Sequence, residues 1–128
     1  MVLGALSVGL VALVVGSQIL IRRRGQAMTG TAVAKLPGTV GAQLGQSEKA
    51  LVYFFSPTCS ACRAITPKIR ELQKTRTDVF AVDVTQDTEL ALALNVMATP
   101  STVEVSHGLI SGFHVGPVPA SVFERFSA

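Results

Sequence analysis

Ten residues near the middle of the chain, Phe54-Phe55-Ser56-Pro57-Thr58-Cys59-Ser60-Ala61-Cys62-Arg63, constrain the fold more than any other stretch. The apolar run Leu51-Val52-Tyr53-Phe54-Phe55 has the length and composition of a short buried strand. Ser56-Pro57-Thr58 breaks it. A helical pattern follows, with Ile65, Ile69 and Leu72 spaced by four and three. The only two cysteines of the chain, Cys59 and Cys62, stand at this strand-to-helix junction. A helix start carries free N–H groups and the positive end of the macrodipole. A thiolate held there is stabilised, which lowers the thiol pKa and makes the first cysteine a usable nucleophile near neutral pH.

The N-terminus sets a second constraint. Residues 2–21 contain no charge, and Arg22, Arg23 and Arg24 follow. About 20 apolar residues cross a hydrocarbon core as a helix. The run is too long for a simple secretory signal, and its arginines lie on the wrong flank. Ala32-Val33-Ala34 resembles a cleavage site but falls well beyond the apolar run, so an uncleaved single-pass anchor is expected, with the lipid bilayer contacted through residues 2–21. Gly4, Ala5, Gly9, Ala12 and Gly16 include small-xxx-small pairs that suit a membrane-protein partner, although Gly and Ala are common in such helices anyway. The positive-inside rule places the arginines, and everything after them, in the cytoplasm. The 11 Lys and Arg outnumber the 8 acids by three, which is this triplet. The remainder is formally neutral, with no basic patch interleaved with aromatics, so nucleic acid is not an expected partner.

The expected organisation is an anchor with its arginine flank over 1–24, a linker over 25–46 and a folded domain over 47–128. The linker is rich in Gly, Ala and Thr and includes Pro37-Gly38. It reads as a tether with a short strand or turn near Thr39 to Leu44. Beyond the first strand and a helix from about Cys59 to Thr75, a second strand is expected at Val79 to Val82. A short helix over Glu89 to Leu94 follows, capped near Thr85-Gln86-Asp87. Thr102 to Val105 and Leu109 to Val115 form a hairpin about Ser106-His107-Gly108. Val122, Phe123 and Phe126 mark the inner face of a last helix. This order gives an α/β domain with a mixed sheet and helices on both faces.

These elements, with Cys59 and Cys62 between the first strand and helix, resemble the thioredoxin family from about Leu51 to Phe126. Pro67 falls five residues after the second cysteine, as in thioredoxins. Thr99-Pro100 precedes the third strand, where the family keeps a cis-proline facing the cysteines, and Gly108 and Gly116 match family glycines. The resemblance implies a thiol–disulfide oxidoreductase, without cofactor or metal, that exchanges disulfides with protein dithiol or disulfide substrates. Cys59 would be the exposed nucleophile and Cys62 the resolving thiol. Thr99 and Pro100 would line the substrate groove, with Phe55, Pro57 and Thr58 at its rim.

Three departures stand out. Thr58 replaces the family's Trp before the first cysteine. Tyr53 stands where thioredoxins bury an acid, and the pair encloses Ser60-Ala61 rather than Gly-Pro. The Ser-Pro-Thr-Cys-x-x-Cys run is similar to membrane-tethered bacterial proteins of methylamine dehydrogenase maturation and, more loosely, cytochrome c maturation. Those domains are generally extracytoplasmic, which opposes the charge reading and leaves a periplasmic domain as the alternative. Other uses of the cysteines are weaker. Zinc would need His107 and His114, which come 45 residues after Cys62 with six between them, outside the usual spacing. An inert disulfide is disfavoured at a helix start. Asp83 reads as a solvated turn acid, and His114 as a surface or edge residue. The rival function is a non-catalytic assembly subunit that uses the fold as an interaction module in a membrane complex.

Overall fold

The computed structural model describes residues 2–33 and 36–127. Its elements are α1 (Val2–Gln26), α2 (Gly38–Leu44), β1 (Lys49–Phe55), α3 (Cys62–Gln73), β2 (Val79–Asp83), α4 (Thr88–Ala93), β3 (Ser101–Ser106), β4 (Leu109–Val115) and α5 (Ala120–Ser127). The four strands form one mixed sheet in the order β2-β1-β3-β4. β1 runs parallel to β2 and antiparallel to β3, and β3 runs antiparallel to β4. This is the thioredoxin-like arrangement expected from the sequence.

The period-2 geometry of β1 explains its all-apolar composition, because successive side chains enter opposite cores. Ala50, Val52 and Phe54 join Leu44, Leu90, Leu94, Val103 and Val105 on one face. Leu51 and Tyr53 join Cys62, Ile65, Ile69, Leu72, Val122 and Phe126 on the other. The helices follow the same logic. Cys62, Ile65, Ile69 and Leu72 are the buried stripe of α3, and the helix continues through Pro67. The Asp87 carboxylate accepts the Leu90 N–H at 3.2 Å and caps α4.

Residues 25–46 depart from the expected tether. In place of a strand or turn near Thr39 to Leu44, the chain forms α2, and Leu44 is fully buried. Gly41 makes this possible, since a Cβ there would overlap the Leu36 carbonyl. Earlier in the segment, the Gly30 N–H donates to the Ile110 carbonyl at 2.7 Å and the Val33 N–H to the Gly108 carbonyl at 2.9 Å. Ala32 bridges Leu109, and Val33 is fully buried. Flexible-looking composition is overridden here by apolar burial, because Met28, Val33, Leu36, Val40 and Leu44 all join one core. Of the Ala32-Val33-Ala34 run, Ala34 lies outside the described residues, as do Lys35, Met1 and Ala128.

Helix α1 is different. Leu6, Val8, Leu10 and Leu13 are exposed, and among the described residues of the helix none is buried. The segment Gly4–Arg24 is 21 residues long and long and apolar enough to cross a membrane. At about 1.5 Å per residue it is about 32 Å long, against a hydrocarbon core of about 30 Å.

Candidate functional site

β1 ends at Phe55, and the chain turns through Pro57 and Thr58, both exposed. The Cys59 N–H donates to the Ser56 carbonyl at 3.2 Å and closes this turn. The helix begins later than expected, at Cys62 rather than near Cys59. Cys59 therefore sits just before the helix, and Cys62 is its first residue. The two are joined in a disulfide with Cα atoms 5.3 Å apart. No side chain caps the start of α3 from Ala61. Instead, the Cys62 N–H points at the Cys59 sulfur, with N and S 3.2 Å apart. The sulfur occupies the place a capping oxygen takes elsewhere, at the positive end of the helix. Cys59 is partly exposed, whereas Cys62 is 3% exposed. A reagent from solvent reaches the first sulfur and not the second.

Below the pair lies Tyr53, fully buried. Its hydroxyl stands 2.9 Å from the Thr66 Oγ1 and 3.3 Å from the Cys62 carbonyl oxygen. The Thr66 hydroxyl itself donates to that carbonyl at 2.9 Å. Burial pushes the Tyr53 phenol above its ordinary range, and the Thr66 hydrogen bond only partly offsets this. The tyrosine thus fills the acid's position as a neutral, hydrogen-bonded core residue.

The opposite wall comes from the β3 entry. Ser101 pairs with Phe54 on one side and Val115 on the other, so Pro100, Phe55 and Gly116 share one end of the sheet. The Thr99–Pro100 peptide is cis, and Pro100 is buried. The Gly116 N–H donates to the Pro100 carbonyl at 2.8 Å. The Thr99 backbone N–H and C=O have no hydrogen-bond partner among the described residues. The fold thus brings Cys59, Cys62, Pro57, Thr58, Thr99 and Pro100 to one end of the sheet.

Three polar residues sit much as their sequence reading has them, in a turn, in the hairpin loop and on the edge strand. Asp83 is turned onto its own loop, accepting from the Thr85 N–H at 2.9 Å and the Thr85 hydroxyl at 2.6 Å. His107 occupies the β3–β4 turn with φ of 49°, and is exposed. His114 is partly buried and engages Glu104 at 2.7 Å. Glu104, a buried charge on β3 that the sequence did not single out, is also held by the Arg125 guanidinium at 2.7 Å. Burial pushes the Glu104 carboxyl up, but the His114 and Arg125 hydrogen bonds and charges outweigh it and hold the group below the ordinary glutamate range. The signal available in the sequence was an acid at an inward position of a strand whose hairpin partner carries a histidine.

Comparison with known proteins bears on this geometry. The family profile described as Thioredoxin matches residues 39–126. Thioredoxin-1 of Schizosaccharomyces pombe is 34% identical over 79 residues, which covers 60% of this chain and 77% of that protein. Among solved structures, the reduced Schistosoma mansoni thioredoxin pre-protein superposes with a TM-score of 0.60 at 29% identity, covering 73% of this chain and 91% of that one. The oxidised thioredoxin of Plasmodium falciparum gives 0.57 at 25% identity, covering 68% and 88%. The matched span holds both cysteines, Tyr53 and the Thr99–Pro100 peptide.

Proposed function

The chain belongs to the thioredoxin family of disulfide oxidoreductases, and from that premise we propose that it is a membrane-tethered enzyme exchanging disulfides with protein substrates through Cys59 and Cys62. The observation that carries this reading is the unequal exposure of the pair at the start of α3, with the reachable Cys59 sulfur facing the Cys62 N–H. In the reduced protein, the Cys59 thiolate attacks one sulfur of a substrate disulfide and the other leaves as a thiolate. A mixed disulfide results. The Cys62 thiolate then attacks the Cys59 sulfur, releasing the second substrate thiol and closing the Cys59–Cys62 disulfide. Two electrons pass to the substrate, and the reverse sequence oxidises a substrate dithiol. Thr99 offers its unpartnered backbone to an extended substrate strand beside Pro100, with Pro57 and Thr58 at the rim. With Tyr53 neutral beneath the pair, the Cys62 proton goes to water.

The tether is argued from α1. It is apolar and solvent-facing over the length of a bilayer core. Loss of the segment through Ala34 would remove Val33 from the core and the Gly30 and Val33 hydrogen bonds to β4. That cost argues for an anchor over a cleaved signal. The domain organisation follows: anchor, then a connecting segment that belongs to the folded unit, then the sheet. Arg22–Arg24 favour a cytoplasmic domain. The resemblance of the Ser-Pro-Thr-Cys-x-x-Cys run to maturation thioredoxins favours the outer side. Alkylation of intact and then opened cells with a membrane-impermeant thiol reagent separates the two. Enzyme and assembly subunit are separated by the double variant Cys59→Ser/Cys62→Ser, which abolishes disulfide exchange and function in the first case and leaves function intact in the second.

A further inference from the structure

Helix α1 leaves the domain in a defined direction. From Val33 back to Gly30 the chain climbs along β4, bonded first to Gly108 and then to Ile110. At the end of α1, Gln26 and Arg22 border a hollow with Phe113, His114, Val115 and Pro117. The path therefore runs from the β4 start to the β4 end. β4 is antiparallel to β3, which is antiparallel to β1, so the β4 end and the β1 end coincide. That is the end that holds Cys59, Cys62 and Pro100. The same helix end is fastened to the loop leading into Pro100. The Asn95 side-chain amide donates to the Arg24 carbonyl at 3.1 Å, and the Arg24 guanidinium meets the Met97 sulfur at 3.7 Å. The apolar part of α1 continues beyond these contacts, with Leu6, Val8 and Leu13 exposed.

We infer that the redox pair faces the bilayer surface, and that its substrates are cysteine pairs of membrane-inserted proteins presented at headgroup depth. The inference rests on the reading of α1 as a membrane span and of Cys59–Cys62 as redox-active. Arginines that end a span sit among the headgroups, a layer of about 5–8 Å on each side of the hydrocarbon. Arg24 touches the loop that enters Pro100, so the groove beside Cys59 opens toward that layer. Because the helix is fastened to β4 and Asn95, the domain does not swing freely to sample distant substrates. The exchange is the one already described, with the partner's disulfide accepting two electrons from the pair or its dithiol supplying them. The unpartnered Thr99 backbone suits an extended juxtamembrane segment.

The test uses the full chain, reduced, in phospholipid vesicles. Two transmembrane peptides carry the same intramolecular disulfide, one about two residues and the other about 20 residues beyond the apolar segment. A soluble peptide disulfide and a vesicle-flotation assay serve as controls. The expected result is exchange about tenfold faster with the near disulfide, since a matched geometry raises effective concentration. The preference should vanish when about ten Gly and Ser residues are inserted after Gln26, with thermal stability and exchange with the soluble peptide unchanged. Equal rates for the two peptides, or a preference for the far one, overturn the inference while leaving the redox reading intact. Failure to exchange with the soluble peptide in either direction, as its disulfide with the reduced chain or as its dithiol with the oxidised chain, overturns it by removing the redox reading. Failure of the chain to float with vesicles overturns it by removing the anchor.

Discussion

Replacing Tyr53 with phenylalanine tests whether this enzyme uses a proton acceptor beneath its cysteines. The substitution keeps the ring in the core and removes only the hydroxyl that meets Thr66 Oγ1 and the Cys62 carbonyl. Thr66 retains its own bond to that carbonyl, so no buried donor is stranded. The loss is then one net hydrogen bond, about 1 kcal/mol. For a domain of this size that lowers Tm by roughly 4–8 °C. The effect on rate should be small. A phenol of ordinary pKa near 10 is ionised in about one molecule per thousand at pH 7, and burial pushes Tyr53 further from ionisation. It cannot take the Cys62 proton as a carboxylate would. Exchange with a peptide disulfide, followed by quenched-flow alkylation, should stay within about twofold of wild type across neutral pH, with only Tm moving. A loss of about tenfold or more at pH 7, with Tm unchanged, would refute the reasoning and make Tyr53 a proton-transfer residue.

Acid should weaken the fold through Glu104 and Asp78. Both carboxyls are held below their ordinary range: burial opposes the His114 and Arg125 interactions of Glu104, and Asp78 is lowered chiefly by its hydrogen bond from Arg76. Their contribution is therefore complete above the unfolded values of about 4.3 and 3.9 and is lost as pH falls through the lower folded values; denaturant midpoints measured from pH 7 to pH 2 should fall mainly below about pH 4, and a flat profile there would count against both ion pairs. Leu44→Ala should cost about 2–5 kcal/mol, read as a shift in denaturant midpoint. A change under about 0.5 kcal/mol, typical of surface sites, would return residues 25–46 to the status of a loose tether.

The sheet and its helices were legible because their signals were strong and local. The apolar β1 run, the Ile65-Ile69-Leu72 spacing and the turn at His107-Gly108 each specify an element without help from distant contacts. The clustering of Cys59, Cys62, Thr99 and Pro100 at one end of the sheet was reachable only through resemblance, since Phe54 and Ser101 are neighbours by register rather than by sequence. Helix α2 was hidden because Gly38, Gly41 and Gly45 depress helix propensity. Burial of Leu44 and Val40 decides that segment, which is a tertiary effect. Glu104 was hidden for a related reason. Its partners come from β4 and α5, so its pairing depends on chain segments that a strand pattern does not reveal. The late start of α3 follows from the Pro57-Thr58 turn, which keeps Cys59 outside the helix while leaving its sulfur against the first amide.

The central claim is that Cys59 is the nucleophile and Cys62 the resolving thiol of a working pair. The most direct measurement is trapping of mixed disulfides by the two single variants in the full chain, read on non-reducing gels after alkylation. Cys62→Ser should accumulate covalent complexes with substrate proteins that dissolve on reduction, because the exposed sulfur attacks and nothing resolves it. Cys59→Ser should trap far less, because the remaining thiol is 3% exposed. Equal trapping by the two variants, or none by either, would contradict the account.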